Sequence, residues 1–454
     1  TLEANGGTLD VNNLIGTIGD ATAVNGGLLD IDGNYTNADD LIVDGGQLIL
    51  RGSFSNEGTL AAINSAVLSF EGEWDNNGVV DYTDSTGNLG GTFTPDDIGA
   101  VNISGNNTFN INGTFENTGN TAFLTSAATW NLNGGRINGG IVAGDATLRV
   151  TDDSVLDGVT LDTELLMTGS SNLDLTINNG LTLNSTLTMQ RTDYRHGGKF
   201  LKFSGTQTLA GSGEILFVDP GSHYRSDYYN TIQSTGLGIL TIGEGITIRG
   251  QDGIVDASAW PLINRGTIRS DSGQTIQIIG VTVENKGTLE ANGGTLDVNN
   301  LIGTIGDATA VNGGTLDIDG NYTNDRDRTI MGGSVLVLRG TWVNDGIRNF
   351  NVTSGSRLEF AGDWTNTGTI QTLESTFEWY GTGVNDGVLD ATDSIVNLHD
   401  TVSLESLGTF NRLGNNTVNI NGTYENLGTT LELDSATTWN LNGGRINGGI
   451  VAGD

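Results

Sequence analysis

Apolar and polar residues alternate along this chain in short runs, and many runs end on one motif. Two apolar positions, a glycine, an aromatic and an asparagine follow one another at steps of two. The motif reads Leu29, Ile31, Gly33, Tyr35, Asn37, then Leu48, Leu50, Gly52, Phe54, Asn56, then Leu68, Phe70, Gly72, Trp74, Asn76. A weaker unit around Gly91 and Phe93 precedes Phe109, Ile111, Gly113, Phe115, Asn117. Further along come Leu316, Ile318, Gly320, Tyr322, Asn324 and Leu336, Leu338, Gly340, Trp342, Asn344. Leu358, Phe360, Gly362, Trp364, Asn366 and Val418, Ile420, Gly422, Tyr424, Asn426 complete the set. A period of two predicts β-strand with its apolar residues on one face.

The motif glycines recur 19 to 22 residues apart, or a multiple of that where units depart from the pattern. A one-unit period predicts that each strand stacks, parallel and in register, on its counterpart in the next unit. Twenty residues hold roughly three short strands and three turns, the coil of a right-handed parallel β-helix. About 22 such coils fit the chain. A sandwich of hairpins would need alternating strand directions and a two-unit period, which the motif lacks.

Larger repeats lie above the coil. Residues 1–37 return as 288–324 with one change, Leu28 to Thr315, and 129–145 return unchanged as 438–454. The offsets are 287 and 309, and their difference of 22 is one coil. A stack of equivalent coils can absorb such an addition, whereas a globular enzyme core cannot. The expected organisation is therefore 1–145 as a first copy, 146–287 as continuing β-helix with an irregular segment at 188–230, and 288–454 as a second copy one coil longer. Both termini read as mid-coil, so the chain is expected to be a window on a longer array.

Two columns follow from stacking. The aromatic column (Tyr35, Phe54, Trp74, Phe93, Phe115, Tyr322, Trp342, Trp364, Tyr424) shares the parity of the core, so its rings should stack inside. The asparagine column (Asn37, Asn56, Asn76, Asn117, Asn138, Asn324, Asn344, Asn366, Asn385, Asn426, Asn447) should form a ladder of amide hydrogen bonds at the parallel-strand spacing. Such a ladder is structural rather than catalytic. Outside, Arg51 is expected between Asp32 and Glu71, and Arg339 beside Asp319.

Composition narrows the function. With 70 Gly and 3 Pro the chain suits many strands and tight turns, and long helices are excluded. A net charge of −35 with only 19 basic residues excludes a general nucleic-acid binder and makes anionic membranes poor partners. Zero cysteines exclude disulfides and thiolate metal sites, and no apolar run reaches transmembrane length. No hydrolase, zinc-protease or nucleotide-binding motif is present. Calcium is a weak expectation: Asp30-Ile31-Asp32-Gly33-Asn34 resembles part of a calcium loop but alternates as a strand.

Runs such as INRGTIRSDSGQTIQIIGVTVENKGTLEANGGTLDV (263–298) resemble the large repetitive β-helical regions of bacterial secreted and surface proteins. Filamentous-haemagglutinin-like adhesins and autotransporter passenger domains are the nearest types. The resemblance implies an extracellular, cell-surface stalk or adhesin and carries over no functional residue.

Only the 188–230 stretch breaks the pattern. It gathers Arg191, Tyr194, Arg195, His196, Lys199, His223, Tyr224, Arg225, Tyr228 and Tyr229 in an otherwise acidic chain. These are the candidates for binding a surface glycan or for a lateral contact between identical subunits, and a bent coil is the plainer alternative. End to end, the partner is the continuing chain or an identical subunit. The reading is a non-enzymatic structural repeat protein forming a rigid stalk or fibre. Its alternative is a β-helical carbohydrate-active enzyme or tailspike using Arg195 or Lys199.

Overall fold

The computed structural model describes residues 2–19, 21–192, 197–219 and 229–453. They form a parallel β-solenoid of about 22 turns, in two compact units, Thr1–Asn230 and Thr231–Asp454. In the first unit, Leu28–Asn37 pairs along its full length with Gln47–Asn56, placing Leu29 on Leu48, Gly33 on Gly52, Tyr35 on Phe54 and Asn37 on Asn56. In the second unit, Thr315–Asn324 lies on Val335–Asn344 in the same way. Every one of these pairings is parallel with a step of one coil, so the hairpin alternative is ruled out.

The core follows the alternation. Leu29, Ile31, Leu50, Leu68, Leu316 and Ile318 are fully buried, as are most of their equivalents. The aromatic column also lies inside. Phe93 and Phe115 stack with centroids 5.0 Å apart, Trp74 and Phe93 at 5.1 Å, and Trp342 and Trp364 at 5.8 Å.

Glycine at the motif position is a packing requirement. A Cβ on Gly52, Gly72, Gly91 or Gly113 would sit inside the carbonyl oxygen of the glycine one coil earlier. The second copy repeats this at Gly340, Gly362 and Gly381. At these positions the turn brings backbone against backbone, and glycine leaves the room for it; in the second copy Asp400 takes the place of Gly91.

Two single-turn helices, α1 (Pro95–Ile98) and α2 (Leu404–Leu407), interrupt the regular coil. Thr94 caps α1 by accepting from the Asp97 backbone N–H while the Asp97 carboxylate accepts from the Thr94 backbone N–H. Ser403 and Ser406 do the same for α2. After each helix one wall of the solenoid stops. The six-stranded sheet that begins at Leu2–Asn5 ends at Ala100–Ser104, and the five-stranded sheet of the second unit ends at Thr409–Leu413.

Candidate functional site

Tyr194, Arg195, His196, His223, Tyr224, Arg225 and Tyr228 lie outside the described residues. The other three candidates are placed. Arg191 ends the strand Thr186–Arg191, and its Nη1 pairs with Asp219 at 2.8 Å, both side chains fully buried. Lys199 opens the strand Lys199–Ser204 and is itself buried. Its ammonium donates to the carbonyls of Gly169 (3.0 Å), Ser171 (2.7 Å) and Gly197 (2.8 Å). Burial, followed by the nearby Arg191 charge, pushes its pKa down to about 8. Tyr229 is half-buried.

Arg191 and Lys199 thus differ from the expected exposed basic patch. Arg191 continues the inward parity of Leu187 and Met189, and Lys199 begins that of Leu201 and Phe203. Their charges hold the interior together and are turned away from any glycan or neighbouring subunit. Lys202, of opposite parity, is the outward cation of this strand and pairs with Asp174.

The asparagine column is real, buried and segmented. In the first unit Asn37 Nδ2 donates to Asn56 Oδ1 (2.7 Å), and Asn56 donates to Asn76 (2.6 Å). Asn76 then donates to the Ile98 carbonyl at the end of α1 (2.8 Å). In the second unit Asn324, Asn344, Asn366 and Asn385 hand on the same bond at 2.8, 2.6 and 2.6 Å. Asn385 finishes on the Leu407 carbonyl of α2 (2.8 Å). The expected continuous ladder is cut because a helix occupies the turn where the next asparagine would stand. Beyond each cut Asn117 and Asn426 stand as single rungs, donating to the Ile141 (3.0 Å) and Ile450 (2.8 Å) carbonyls.

Asn138 and Asn447 do not belong to the column. Their register partners are Glu116 and Glu425, one residue short of Asn117 and Asn426, and their amides donate to those carboxylates at 2.7 Å.

Three features escaped the sequence reading. The first is another ladder, Asn264 to Asn285 (2.8 Å) to the Ile305 carbonyl (2.7 Å), signalled by Asn-x-Gly at 264–266 and 285–287. The second is Arg328, which is buried at the head of the second ladder. It donates to Asn324 Oδ1 (2.8 Å) and to the carbonyls of Ala308 and Gly306 (both 2.9 Å). Burial lowers its pKa to about 10.

The third is an outer ladder of opposite polarity. Asn131 donates to Asn110 and Asn110 to Asn88, each at 2.8 Å. Its counterpart runs from Asn440 through Asn419 and Asn397 to the Glu378 carboxylate. Glu378 also meets His399 Nε2 at 2.7 Å, and that imidazole stacks on Tyr380 at 4.0 Å.

The outer arginines reach diagonally. Arg51 Nε pairs with Asp30 (2.9 Å) rather than Asp32 and reaches on to Glu71. Arg339 Nε pairs with Asp317 (2.9 Å) rather than Asp319 and reaches on to Glu359 at 3.3 Å. The long side chain runs back along its strand to the next residue on the same face. Asp30 is engaged in this way, and among the described residues no group of three or more His, Asp or Glu side chains is arranged to hold a metal ion. Among the described residues no helix is long and apolar enough to cross a membrane.

Comparison with protein families, curated proteins and solved structures finds no match to this chain.

Proposed function

We propose that this chain is a non-enzymatic, extracellular structural repeat protein, a segment of a rigid stalk or fibre at a cell surface. The observation that carries the reading is how the two copies differ in length. The 22 extra residues of the second copy appear as one further coil. Its ladder has four rungs, Asn324 to Asn385, where the first has three, Asn37 to Asn76. Reach changes by a whole coil while the cross-section stays the same, as a spacer requires.

The interior chemistry supports the same reading. The ladder amides, Arg191, Lys199 and Arg328 are all spent on holding coils together. An acidic exterior keeps such a β-rich surface soluble and discourages edge-to-edge association. Adhesion or self-association belongs to the same proposal, and any lateral contact at 191–229 has to be built without the Arg191 and Lys199 charges.

Antibody labelling of intact source cells tests this directly. The expected result is surface signal without permeabilisation, together with no release of oligosaccharide when the purified chain meets neutral or acidic polysaccharides. Signal only after permeabilisation, or sustained oligosaccharide release, would overturn it.

A further inference from the structure

Identical peptides in the two copies meet different neighbours. Val24-Asn25-Gly26-Gly27 and Val311-Asn312-Gly313-Gly314 have the same four residues. Their turns also share one shape, with φ +52° at Asn25, +53° at Asn312 and +76° at each following glycine. Both asparagines are exposed. Each side-chain amide donates one coil back, Asn25 to Asn5 at 2.8 Å and Asn312 to Asn292 at 2.7 Å.

The difference lies one coil ahead. The Gly313 N–H donates to Ser334 Oγ at 3.2 Å. The Gln47 N–H bonds the Gly27 carbonyl as the Val335 N–H bonds the Gly314 carbonyl, so Gly46 holds the place of Ser334 in the first copy. Glycine has no hydroxyl, and among the described residues the Gly26 N–H meets no acceptor. Clasps of this kind recur along the chain. The Gly134 N–H, after Asn133, donates to Ser154 Oγ (3.2 Å), and the Gly180 N–H, after Asn179, donates to Gln207 Oε1 (2.8 Å).

We propose that Asn25 is a site of covalent modification, the intramolecular loss of its side-chain amide, and that Ser334 suppresses the same reaction at Asn312. The Gly26 nitrogen attacks Asn25 Cγ and closes a five-membered succinimide. The Cγ–Nδ2 bond breaks, and ammonia leaves with the proton of the Gly26 N–H. Water then opens the ring at either carbonyl, leaving aspartate or isoaspartate. Glycine favours the attack because it has no Cβ to crowd the forming ring. An N–H already committed to a hydroxyl has to give up that bond before its nitrogen can attack. The product carboxylate only accepts, so the bond to Asn5 is lost and one more negative charge joins the exterior.

Peptide mapping of the whole folded chain, aged in mildly alkaline buffer and then digested with trypsin, tests the site. Tandem mass spectrometry distinguishes the fragments 1–51 and 287–326 and places the deamidated residue in each. Asn25 should convert about fivefold faster than Asn312, the rate equivalent of one ordinary hydrogen bond. In urea, where the clasp is gone, the two should convert at one rate because their neighbours are identical. Ser334→Ala should raise Asn312 to the rate of Asn25 and leave Asn25 unchanged. Equal rates in the folded chain, or a difference that persists in urea, would overturn the proposal. So would a Ser334→Ala chain with an unaltered circular dichroism spectrum and an unaltered rate at Asn312. The comparison within the parent chain keeps the test decisive where that variant does not fold.

Discussion

Replacing Gly91 with alanine is expected to destabilise the first unit by at least about 3 kcal/mol, among the largest effects of any single methyl group in this chain. Gly91 has φ +67°, where an L side chain costs roughly 1–2 kcal/mol. Its added Cβ would also fall inside the Gly72 carbonyl oxygen, which belongs to the backbone and cannot swing aside. The coils would have to part there, breaking parallel hydrogen bonds on both sides. Gly26 separates the two causes, because it has φ +76° and nothing within 4 Å of a Cβ. Gly26→Ala should cost only the conformational part, about 1 kcal/mol. Urea unfolding with hydrogen exchange along the chain reads both. Equal losses at the two positions would show that close coil approach does not govern the glycine column.

Asn344→Ala is the second large effect, expected at roughly 3–5 kcal/mol. Asn344 accepts from Asn324 and donates to both Asn366 (2.6 Å) and the Arg348 carbonyl (2.8 Å). Alanine leaves the Asn324 amide, the Asn366 oxygen and that carbonyl without partners in a closed interior. Position in the ladder should grade the loss. Asn56→Ala, also a middle rung, should cost as much as Asn344→Ala, and Asn76→Ala, the last rung, about 1–3 kcal/mol. Asn117→Ala should cost about 1 kcal/mol, because its Oδ1 has no partner to strand. Thermal unfolding of the variants checks the order. A neutral Asn344→Ala would mean the ladder contributes nothing.

How far the sequence could be read depended on whether a residue announced its own register. Leu29, Ile31, Gly33, Tyr35 and Asn37 recur at a fixed step, and period two with a one-coil repeat leaves a single way to stack them. The helices were hidden because TPDDIGA (94–100) and SLESLGT (403–409) share only glycine, and a single capped turn has no periodicity to detect. Their consequence, a segmented ladder, was hidden with them. Asn138 and Asn447 misled because one residue of register moves an asparagine from the buried column to the outer face.

Arg191 and Lys199 misled for a chemical reason. Positive charge suggested surface, although their parity with Met189 and Leu201 already pointed inward. Parity was the better guide, since the buried carboxylate of Asp219 and three inward carbonyls supply what the two cations need. The outer Asn88–Asn110–Asn131 ladder was legible as well, between the core positions of successive strands, once outward columns are read as carefully as inward ones.

The central claim is that the coil is the unit in which this protein is lengthened or shortened. Deleting residues 345–366 removes one coil and joins Asn344 to Thr367, leaving a ladder of three rungs as in the first copy. The measurement is thermal unfolding of that deletion protein followed by far-ultraviolet circular dichroism. The account predicts an unchanged β spectrum and a midpoint within about 5 °C of the parent chain. Loss of the β signal, or a collapsed and broadened transition, would contradict it.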